Sequence, residues 1–447
     1  STRVRSSAAS DVYKRQIRRQ KGFVMNEQIL TTEMLHFIEE SPTAFHAAAN
    51  VEKLLRKEGF VRIEELGKEG VQPGGRYYTV QNGSAVIAAR IPENGGKGFR
   101  IAASHSDSPC FKIKELPEQK VEGKYVKLNT ERYGGMILST WLDRPLSAAG
   151  RVFVKGADGN AEQRLVNLKK DLLVIPNVAV HFNREINDGF QYNPQTDMAP
   201  LMGMDQEMTV LGLCAKELGI AEDEVLGSDL YVYNRDQGRI MGADDSLIGS
   251  PRLDDLQCAY ATLRGFLASE SKEYVSVYAL FDNEEVGSGT RQGADSTLLE
   301  EFLEILLENR ELNRIEKRKF YQNSFLLSAD NGHAVHPNHP EKSDPTNRPY
   351  INGGVVLKYN GSQRYTTDGF SAAVVRDVCR TWEIPLQTFA NRSDVPGGST
   401  LGNISTAHVS IPSADVGLAQ LAMHSAFETA GVKDTAALAA LAEHLFA

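Results

Sequence analysis

The sequence has few cysteines, and none are spaced like the ligands of a metal or redox site. Cys110, Cys214, Cys258 and Cys379 lie far apart, and no Cys-x-x-Cys occurs among the 447 residues. This spacing fits neither a disulfide framework nor a zinc finger. A reducing compartment suits it best, and we expect a cytoplasmic protein.

The sequence also lacks an excess of positive charge and a long apolar run. Its formal net charge is −9, whereas a nucleic-acid-binding protein needs a basic face. No apolar run approaches the roughly 20 residues that span a bilayer. With 41% hydrophobic and 24% charged residues, the composition is that of a globular protein. We expect neither a nucleic acid nor a membrane as partner.

The length favours two domains, since one hydrophobic core rarely grows beyond roughly 250–300 residues. The first 24 residues are basic, rich in serine and without periodicity. We expect them to be a disordered leader or an expression tail outside the fold. Apolar residues at helical spacing follow Met25, which we interpret as the start of the first domain.

Residues 25–108 and 251–447 alternate between helical and strand patterns, whereas residues 109–250 are rich in strand patterns. "TAFHAAANVEKLLRKEGF" predicts a helix, and "RYYTVQNGSAVIAARI" predicts a hairpin around Asn82-Gly83. Turn signals at Asp158-Gly159 and Gln237-Gly238 predict further hairpins. Neither flank has enough strands for a sheet of its own. We therefore predict a split α/β domain, interrupted by an inserted, largely β domain.

Acidic residues and a histidine follow three of the predicted strands. His105 and Asp107 follow "FRIAAS", Glu284 and Glu285 follow "VYALFDN", and Asp330 follows "SFLLSA". In open α/β sheets, sites assemble at the carboxyl ends of the strands. Each of these three observations alone is weak evidence, because a pair of acidic residues at a strand end more often lies on the solvent-exposed surface. The three together predict a common site.

Three further residues belong to the same candidate set. Asp254 and Asp255 lie at a loop-to-helix junction, where we expect one to cap the helix and the other to point inward. His424 lies in the largely apolar "GLAQLAMHSAFE", where an unpaired imidazole would be costly. A lone histidine in such a segment is more often a satisfied core residue.

Two histidines and several carboxylates match what two zinc-like ions with a shared carboxylate require. Two such ions roughly 3.5–4 Å apart can activate water and polarise a carbonyl group. A spare carboxylate nearby is then needed to move the proton. In this interpretation, one of the adjacent residues Glu284 and Glu285 binds metal and the other moves protons.

Six motifs lie in order along the chain: "SHSDSPCFKIK", "YGGMILSTWLDRPLSAAGRV", "SPRLDDL", "FDNEEVGS", "SADNGHAVHPN" and "LAMHS". In these motifs the sequence resembles the aspartyl aminopeptidase family, which includes vacuolar aminopeptidase I. The resemblance runs from about Met25 to the carboxyl terminus. It implies an α/β, mixed-sheet di-metal aminopeptidase domain of the phosphorylase/hydrolase-like type, interrupted by a largely β dimerisation domain.

The resemblance implies a metal-binding role for five residues. It assigns His105 and Asp330 to one ion, Glu285 and His424 to the other, and Asp254 to both as a bridge. The implied cofactors are two divalent metal ions per subunit. Zinc fits this set, and manganese and cobalt accept similar ligands.

The resemblance also implies a mechanism. Glu284 matches the catalytic base of the family, and Asp107 matches the residue that orients the first histidine. The implied reaction is hydrolysis of the amino-terminal peptide bond of short peptides. Glu284 takes a proton from the attacking water and returns it to the leaving amine.

Three substrate-binding candidates come from the resemblance as well. Lys358 aligns with a lysine that holds an acidic side chain, which would make Asp or Glu the preferred first residue; the alternative is a solvated strand lysine. His181 matches a histidine that a neighbouring subunit offers to the active site; the alternative is a surface-loop histidine. His333 lies in the "SADNGHAVHPN" motif. The family implies a homo-oligomer, a tetrahedral dodecamer built from dimers.

The sequence departs from the family pattern in two places. Gly397 stands in "VPGGST" where a cysteine is usual, and Asn331-Gly332 follows Asp330 where Met-Ala is common. Neither change removes a predicted ligand. Both bear on the shape of the pocket and therefore on substrate preference.

Other interpretations stay open at this point. An aminopeptidase for neutral residues would share the whole mechanism. A di-metal carboxypeptidase or N-acyl amino acid deacylase uses a similar ligand set but needs no free α-amine. A non-catalytic assembly or cargo-binding protein is a third class, against which the complete ligand set and Glu284 argue.

Overall fold

The computed structural model describes residues 27–447, so the predicted leader at residues 1–24 lies outside the described residues. The described strands form three sheets, of nine, six and five strands. None of the helices in residues 27–447 combines the length and the hydropathy that crossing a membrane requires.

The nine-stranded sheet is the scaffold of the α/β part. From edge to edge its strands are β1 (Val61–Arg62), β2 (Arg76–Gln81), β3 (Ala85–Arg90), β13 (Val275–Phe281), β4 (Phe99–His105), β14 (Phe325–Ala329), β18 (Ser413–Gly417), β16 (Val355–Tyr359) and β17 (Leu386–Ala390). The predicted hairpin around Asn82-Gly83 is confirmed as β2–β3. Strand β4 is parallel to both β13 and β14, and every residue of β13 and β14 is buried. Strands that are buried on both faces have continuous runs of apolar residues. This is why β13 and β14 could be predicted from the sequence.

Helices cover both faces of this sheet. One face packs against α1 (Glu27–Glu39), α2 (Ala44–Lys57), α4 (Leu253–Ala268), α7 (Gly369–Trp382) and α9 (Asp434–Phe446). The other face packs against α5 (Leu298–Leu307), α6 (Arg314–Gln322) and α8 (Leu401–His408). Helices α4 and α9 approach closely at Gly265, where a Cβ would lie 2.5 Å from the carbonyl oxygen of Ala439.

The six-stranded sheet consists of strands from the middle of the chain. In order they are β8 (Ala161–Asn167), β7 (Leu146–Lys155), β10 (Val225–Asn234), β5 (Cys110–Val121), β6 (Tyr125–Tyr133) and β9 (Leu201–Gly203). All of its strand pairs are antiparallel, and the predicted hairpin at Asp158-Gly159 is β7–β8. Helix α3 (Val210–Leu218) packs against it through Val210 and Cys214.

The five-stranded sheet joins two distant parts of the chain. Its strands are β11 (Arg239–Met241), β12 (Leu247–Ser250), β20 (Glu428–Gly431), β19 (Ala419–Leu421) and β15 (Gly332–His333). The hairpin predicted at Gln237-Gly238 was wrong, because β10 pairs with β7 and β5, whereas β11 pairs with β12. That turn signal marks a change of sheet. The domain limits at residues 109 and 250 stay a prediction.

Candidate metal centre

The carboxyl ends of β13, β4 and β14 lie side by side because these strands are neighbours and run in the same direction. His105 is the last residue of β4, and Asp330 directly follows β14. Glu284 and Glu285 begin a short 3-10 helix just after β13. The sheet therefore brings together the side chains that follow these three strands in the sequence.

Asp254 and Asp255 enter the same region from the start of α4, and both are buried. The expectation that one of them caps the helix was wrong. The carboxylate of Asp255 instead accepts the backbone N–H of His105 at 3.1 Å. Asp255 was in the candidate set from the sequence, but the resemblance gave it no role in the site.

Asp254 lies between the two histidines. Its Oδ1 is 3.6 Å from His105 Nε2, and its Oδ2 is 3.6 Å from His424 Nε2. The same nitrogen of His424 lies 3.4 Å from Glu285 Oε1. A carboxylate whose two oxygens face different imidazoles suits a ligand that is shared by two ions.

The side chains offer three overlapping groups of ligand atoms, each with all atoms within 4.8 Å of one another. Within the described residues these are His105–Asp254–Asp255–Asp330, His105–Glu284–Glu285 and Asp254–Glu285–His424. The structure therefore brings together all five predicted metal ligands and the predicted base, with Asp255 as an addition.

This donor set fits divalent metal ions. Imidazole nitrogens and carboxylate oxygens are the ligands that zinc takes in catalytic sites. Oδ1 of Asp254 and Oδ1 of Asp255 are buried without a hydrogen-bond donor, although buried polar atoms are nearly always paired. These unpartnered oxygens lie in the group that includes His105 and Asp330, where a cation would satisfy them.

The electrostatics of these carboxylates favour a bound cation. Burial raises the pKa of Glu284 to about 8, and the charge of Asp330 adds to this effect. Burial also raises the pKa of Asp330 to about 6 and holds the pKa of Glu285 well above its usual range. Burial opposes the ionisation of Asp254 too, but the two histidines outweigh it and lower the pKa of that carboxyl. A bound cation favours the ionised form of every one of these groups.

Asp107 lies behind His105. Its Oδ1 is 3.3 Å from His105 Nδ1, which leaves Nε2 directed at Asp254. The Asp107 carboxylate also accepts the backbone N–H groups of Glu284 and Glu285 at 3.2 and 3.1 Å and the hydroxyl of Tyr133 at 2.7 Å. Asp107 therefore fixes the first histidine and the glutamate turn together, as a residue next to a metal ligand often does.

Glu428 is a residue that sequence reasoning missed. It is buried, and its carboxylate accepts the backbone N–H of Asp254 at 3.1 Å and that of His424 at 2.7 Å. Burial raises its pKa to about 8. Nothing in the sequence marks this glutamate, because its partners are backbone groups that come together only in the fold.

A pocket of about 240 Å³ opens onto these groups. Besides the candidate ligands and Glu284, its lining includes His333, Lys358, Tyr365, Phe389 and Met423. Lys358 is only 2% exposed, so it is not a solvated strand lysine. Its ammonium donates to the carbonyl oxygen of Asn331 at 2.8 Å and lies 4.0 Å from Asp330 Oδ1.

Two of the residues singled out in the sequence do not line this pocket, although Gly398, next to Gly397, does. His181 is exposed in the segment between β8 and β9, and a single chain does not bring it to the pocket. At Gly397, a Cβ would lie 2.7 Å from Asn391 Oδ1 and 2.8 Å from Asn360 Nδ2. The side chain of a cysteine at that position would need these two amides to shift.

Comparisons with known proteins agree with a metal centre in this chain. Residues 37–446 match the family described as aminopeptidase I zinc metalloprotease (M18). A protein from Clostridium novyi named probable M18 family aminopeptidase 2 is 44% identical over 418 residues, which cover 92% of this chain and 96% of that protein. A protein of the same name from Pseudomonas entomophila is 38% identical over 422 residues, again covering 92% and 96%.

Solved structures have the same fold. The structure described as the Ape4 and Nbr1 complex contains a chain with a TM-score of 0.90 and 32% identity, covering 94% of this chain and 86% of that one. The S. cerevisiae mApe1 dodecamer gives a TM-score of 0.82 at 26% identity, covering 94% and 96%. These matches support the metalloaminopeptidase interpretation over the deacylase and assembly-protein interpretations. The chain belongs to the M18 family of zinc metalloaminopeptidases, which are hydrolases that act on peptides.

Proposed function

We propose that this aminopeptidase removes an amino-terminal Asp or Glu from short peptides. The observation that carries this proposal is the buried ammonium of Lys358, which lines the same pocket as Glu284 and the candidate metal ligands. A buried charge is unfavourable unless it is paired, and the nearest carboxylate oxygen, on Asp330, lies 4.0 Å away. An acidic substrate side chain would give Lys358 a closer partner.

The proposed mechanism assigns separate roles to neighbouring residues. His105 and Asp330 would hold one ion, Glu285 and His424 the other, and Asp254 both. Two bound divalent ions supply Lewis acidity, which polarises the scissile carbonyl group and makes water a stronger acid.

Glu284 is left to move the proton. Its carboxyl group lies among the candidate ligands, and burial raises its pKa to about 8. Such a carboxylate readily takes a proton from the attacking water and passes it to the leaving amine.

We also propose that the protein is cytoplasmic and assembles into a tetrahedral dodecamer built from dimers, in which His181 serves the active site of a neighbouring subunit. Three apolar residues near His181 are exposed, Val178 at 55%, Val180 at 53% and Phe182 at 87%. Clustered exposed apolar side chains indicate an interaction surface. The similar mApe1 chain, which is described as a dodecamer, supports the same arrangement.

The specificity proposal is tested with matched peptides that begin with Asp, Glu, Leu or Lys, assayed with added zinc. For Lys358→Met, we expect kcat/KM to fall about 100-fold for Asp and Glu peptides, since a hydrogen bond to a charged group contributes about 1.5–3 kcal/mol. The rate on Leu peptides should change only a few-fold. Lys342→Met, which alters an exposed lysine, is the control. Equal losses on Asp and Leu peptides would refute the role of Lys358.

A preference for neutral residues is the second candidate. Phe389 and Met423 give the pocket apolar surface, which favours an apolar side chain. In that case the wild-type enzyme cleaves Leu peptides fastest, and Lys358→Met leaves this order unchanged.

A further inference from the structure

Asn331 is the centre of a buried hydrogen-bond network. Its Oδ1 accepts the S–H of Cys258 at 2.8 Å, and its Nδ2 donates to Oε1 of Gln257 at 3.2 Å and to Oε1 of Gln420 at 2.6 Å. All four side chains are at most 2% exposed. Solvent therefore offers no replacement for any of these bonds.

The network connects Asn331 to the segments that carry candidate metal ligands. Gln420 donates to Glu428 at 3.4 Å, and Glu428 accepts the backbone N–H groups of Asp254 and His424. On its other side, Asn331 is bonded to Gln257 on α4, the helix that carries Asp254. Asn331 thus cross-links the end of β14 with the start of α4 and with β19, and Glu428 extends the network to the turn that carries His424.

The main chain of Asn331 reaches the substrate side of the pocket. Its carbonyl oxygen accepts a hydrogen bond from Lys358 Nζ at 2.8 Å. On either side, the N–H of Asp330 donates to the carbonyl oxygen of Val416, and the N–H of Gly332 donates to that of Leu418. The peptide group of Asn331 is therefore held by its strand neighbours and by its own side chain.

We propose that Asn331 is a positioning residue that couples the metal-binding segments to Lys358. The effect on Lys358 rests on the proposed preference for substrates with an acidic first residue. The effect on metal binding does not depend on that preference. A methionine side chain at this position would make none of the three side-chain bonds. The network is thus built by residues of this chain around an amide.

An amide is the group that this environment requires. The two glutamine oxygens need N–H donors, and the thiol of Cys258 needs an acceptor, and a single carboxamide supplies both. Leucine at position 331 would leave the buried amides of Gln257 and Gln420 short of partners. A buried polar group without its partner costs about 1–3 kcal/mol. We expect the end of β14, the start of α4 and β19 to shift so that these amides find other partners.

The test compares Asn331→Leu with Thr435→Val. Thr435 is buried and accepts a hydrogen bond from Gln257 at 3.0 Å, so Thr435→Val removes a bond at the outer end of the same network and leaves Asn331 in place. Two quantities are measured for each variant: zinc affinity by competition with a chelator, and the ratio of kcat/KM for Asp and Leu peptides. Urea unfolding of both variants reports the loss of stability.

For Asn331→Leu we expect a zinc dissociation constant raised about 10-fold or more, as for other residues that orient metal ligands. The Asp/Leu ratio should fall several-fold, mainly through KM for the Asp peptide. Thr435→Val should lose stability but keep both quantities. Wild-type zinc affinity in a folded Asn331→Leu protein, or an equal change in Thr435→Val, would overturn the proposal. If the wild-type enzyme has no acidic preference, the specificity proposal fails, and zinc affinity alone decides the role of Asn331.

Discussion

The carboxylate of Asp107 accepts the backbone N–H of Glu285 at 3.1 Å. This bond ties the end of β4 to the turn after β13. The carboxylates of Glu284 and Glu285 both belong to the group around His105, and that of Glu285 also lies 3.4 Å from His424. Of the two adjacent glutamates, Glu285 is therefore the one that reaches both histidines.

Removing the proposed base should separate metal binding from turnover. For Glu284→Gln we expect zinc content to stay at the wild-type level, because the five proposed ligands are untouched. The value of kcat should fall by roughly 10²–10⁴-fold, the usual contribution of a general base. Zinc content by elemental analysis and kcat on an Asp peptide are measured on the same preparation, with Glu301→Gln on the surface as control. A variant that keeps near-normal rates would exclude Glu284 as the base.

Removing zinc should make the stability of the protein depend on pH. In the metal-free site, the pKa values of Glu284 and Glu428 are raised to about 8 and that of Asp330 to about 6. A carboxyl group whose pKa is higher in the folded than in the unfolded protein binds more protons in the folded state. Its contribution to the free energy of unfolding is therefore complete below the pKa of the unfolded state. The contribution is lost as the pH rises to the pKa of the folded state.

We therefore expect the free energy of unfolding of the zinc-free protein to fall between pH 5.5 and pH 8.5. Zinc should stabilise more at the higher pH, because its ligands must be deprotonated to bind it. Urea unfolding with zinc or with a chelator measures both effects. A zinc-free protein that becomes more stable over this range would contradict the expectation.

The sequence predicted the parts of the site that depend on strand order and residue type. Strands β13, β4 and β14 are apolar runs, and the polar residues that follow them are visible in the sequence as breaks in those runs. Because parallel strands end at the same edge, the convergence of His105, Glu284 and Asp330 followed from the pattern.

The residues that were missed act through contacts the sequence does not show. Glu428 holds Asp254 and His424 through their backbone N–H groups, and any sequence has such groups at every position except proline. Tyr133 reaches Asp107 from β6, a strand of the six-stranded sheet. The wrong hairpin at Gln237-Gly238 has the same origin, because a turn signal shows that the chain reverses but not which strand it joins next.

A methyl group at Gly417 should disturb the site through packing alone. Its Cβ would lie 1.9 Å from the carbonyl oxygen of Asp330 and 2.9 Å from Cε of Lys358. For Gly417→Ala we expect the free energy of unfolding to fall by about 1–3 kcal/mol, as overpacking usually causes, together with weaker zinc binding. Gly227→Ala is the matched control, because a Cβ there meets nothing within 4 Å. Equal stability of the two variants in urea would contradict this account.

Mixing two inactive variants tests whether His181 acts across a subunit interface. His181→Ala and Glu284→Gln should each be inactive as pure assemblies, the first for lack of the partner histidine and the second for lack of the base. After subunits are exchanged under mild dissociating conditions, a Glu284→Gln subunit can offer His181 to an intact base in its neighbour. We expect activity on an Asp peptide to return to at most about a quarter of the wild-type value if sites pair within dimers at random. Mass spectrometry of labelled subunits confirms the exchange. Proven exchange without recovery, or full activity of His181→Ala alone, would show that each chain works without the histidine of its neighbour.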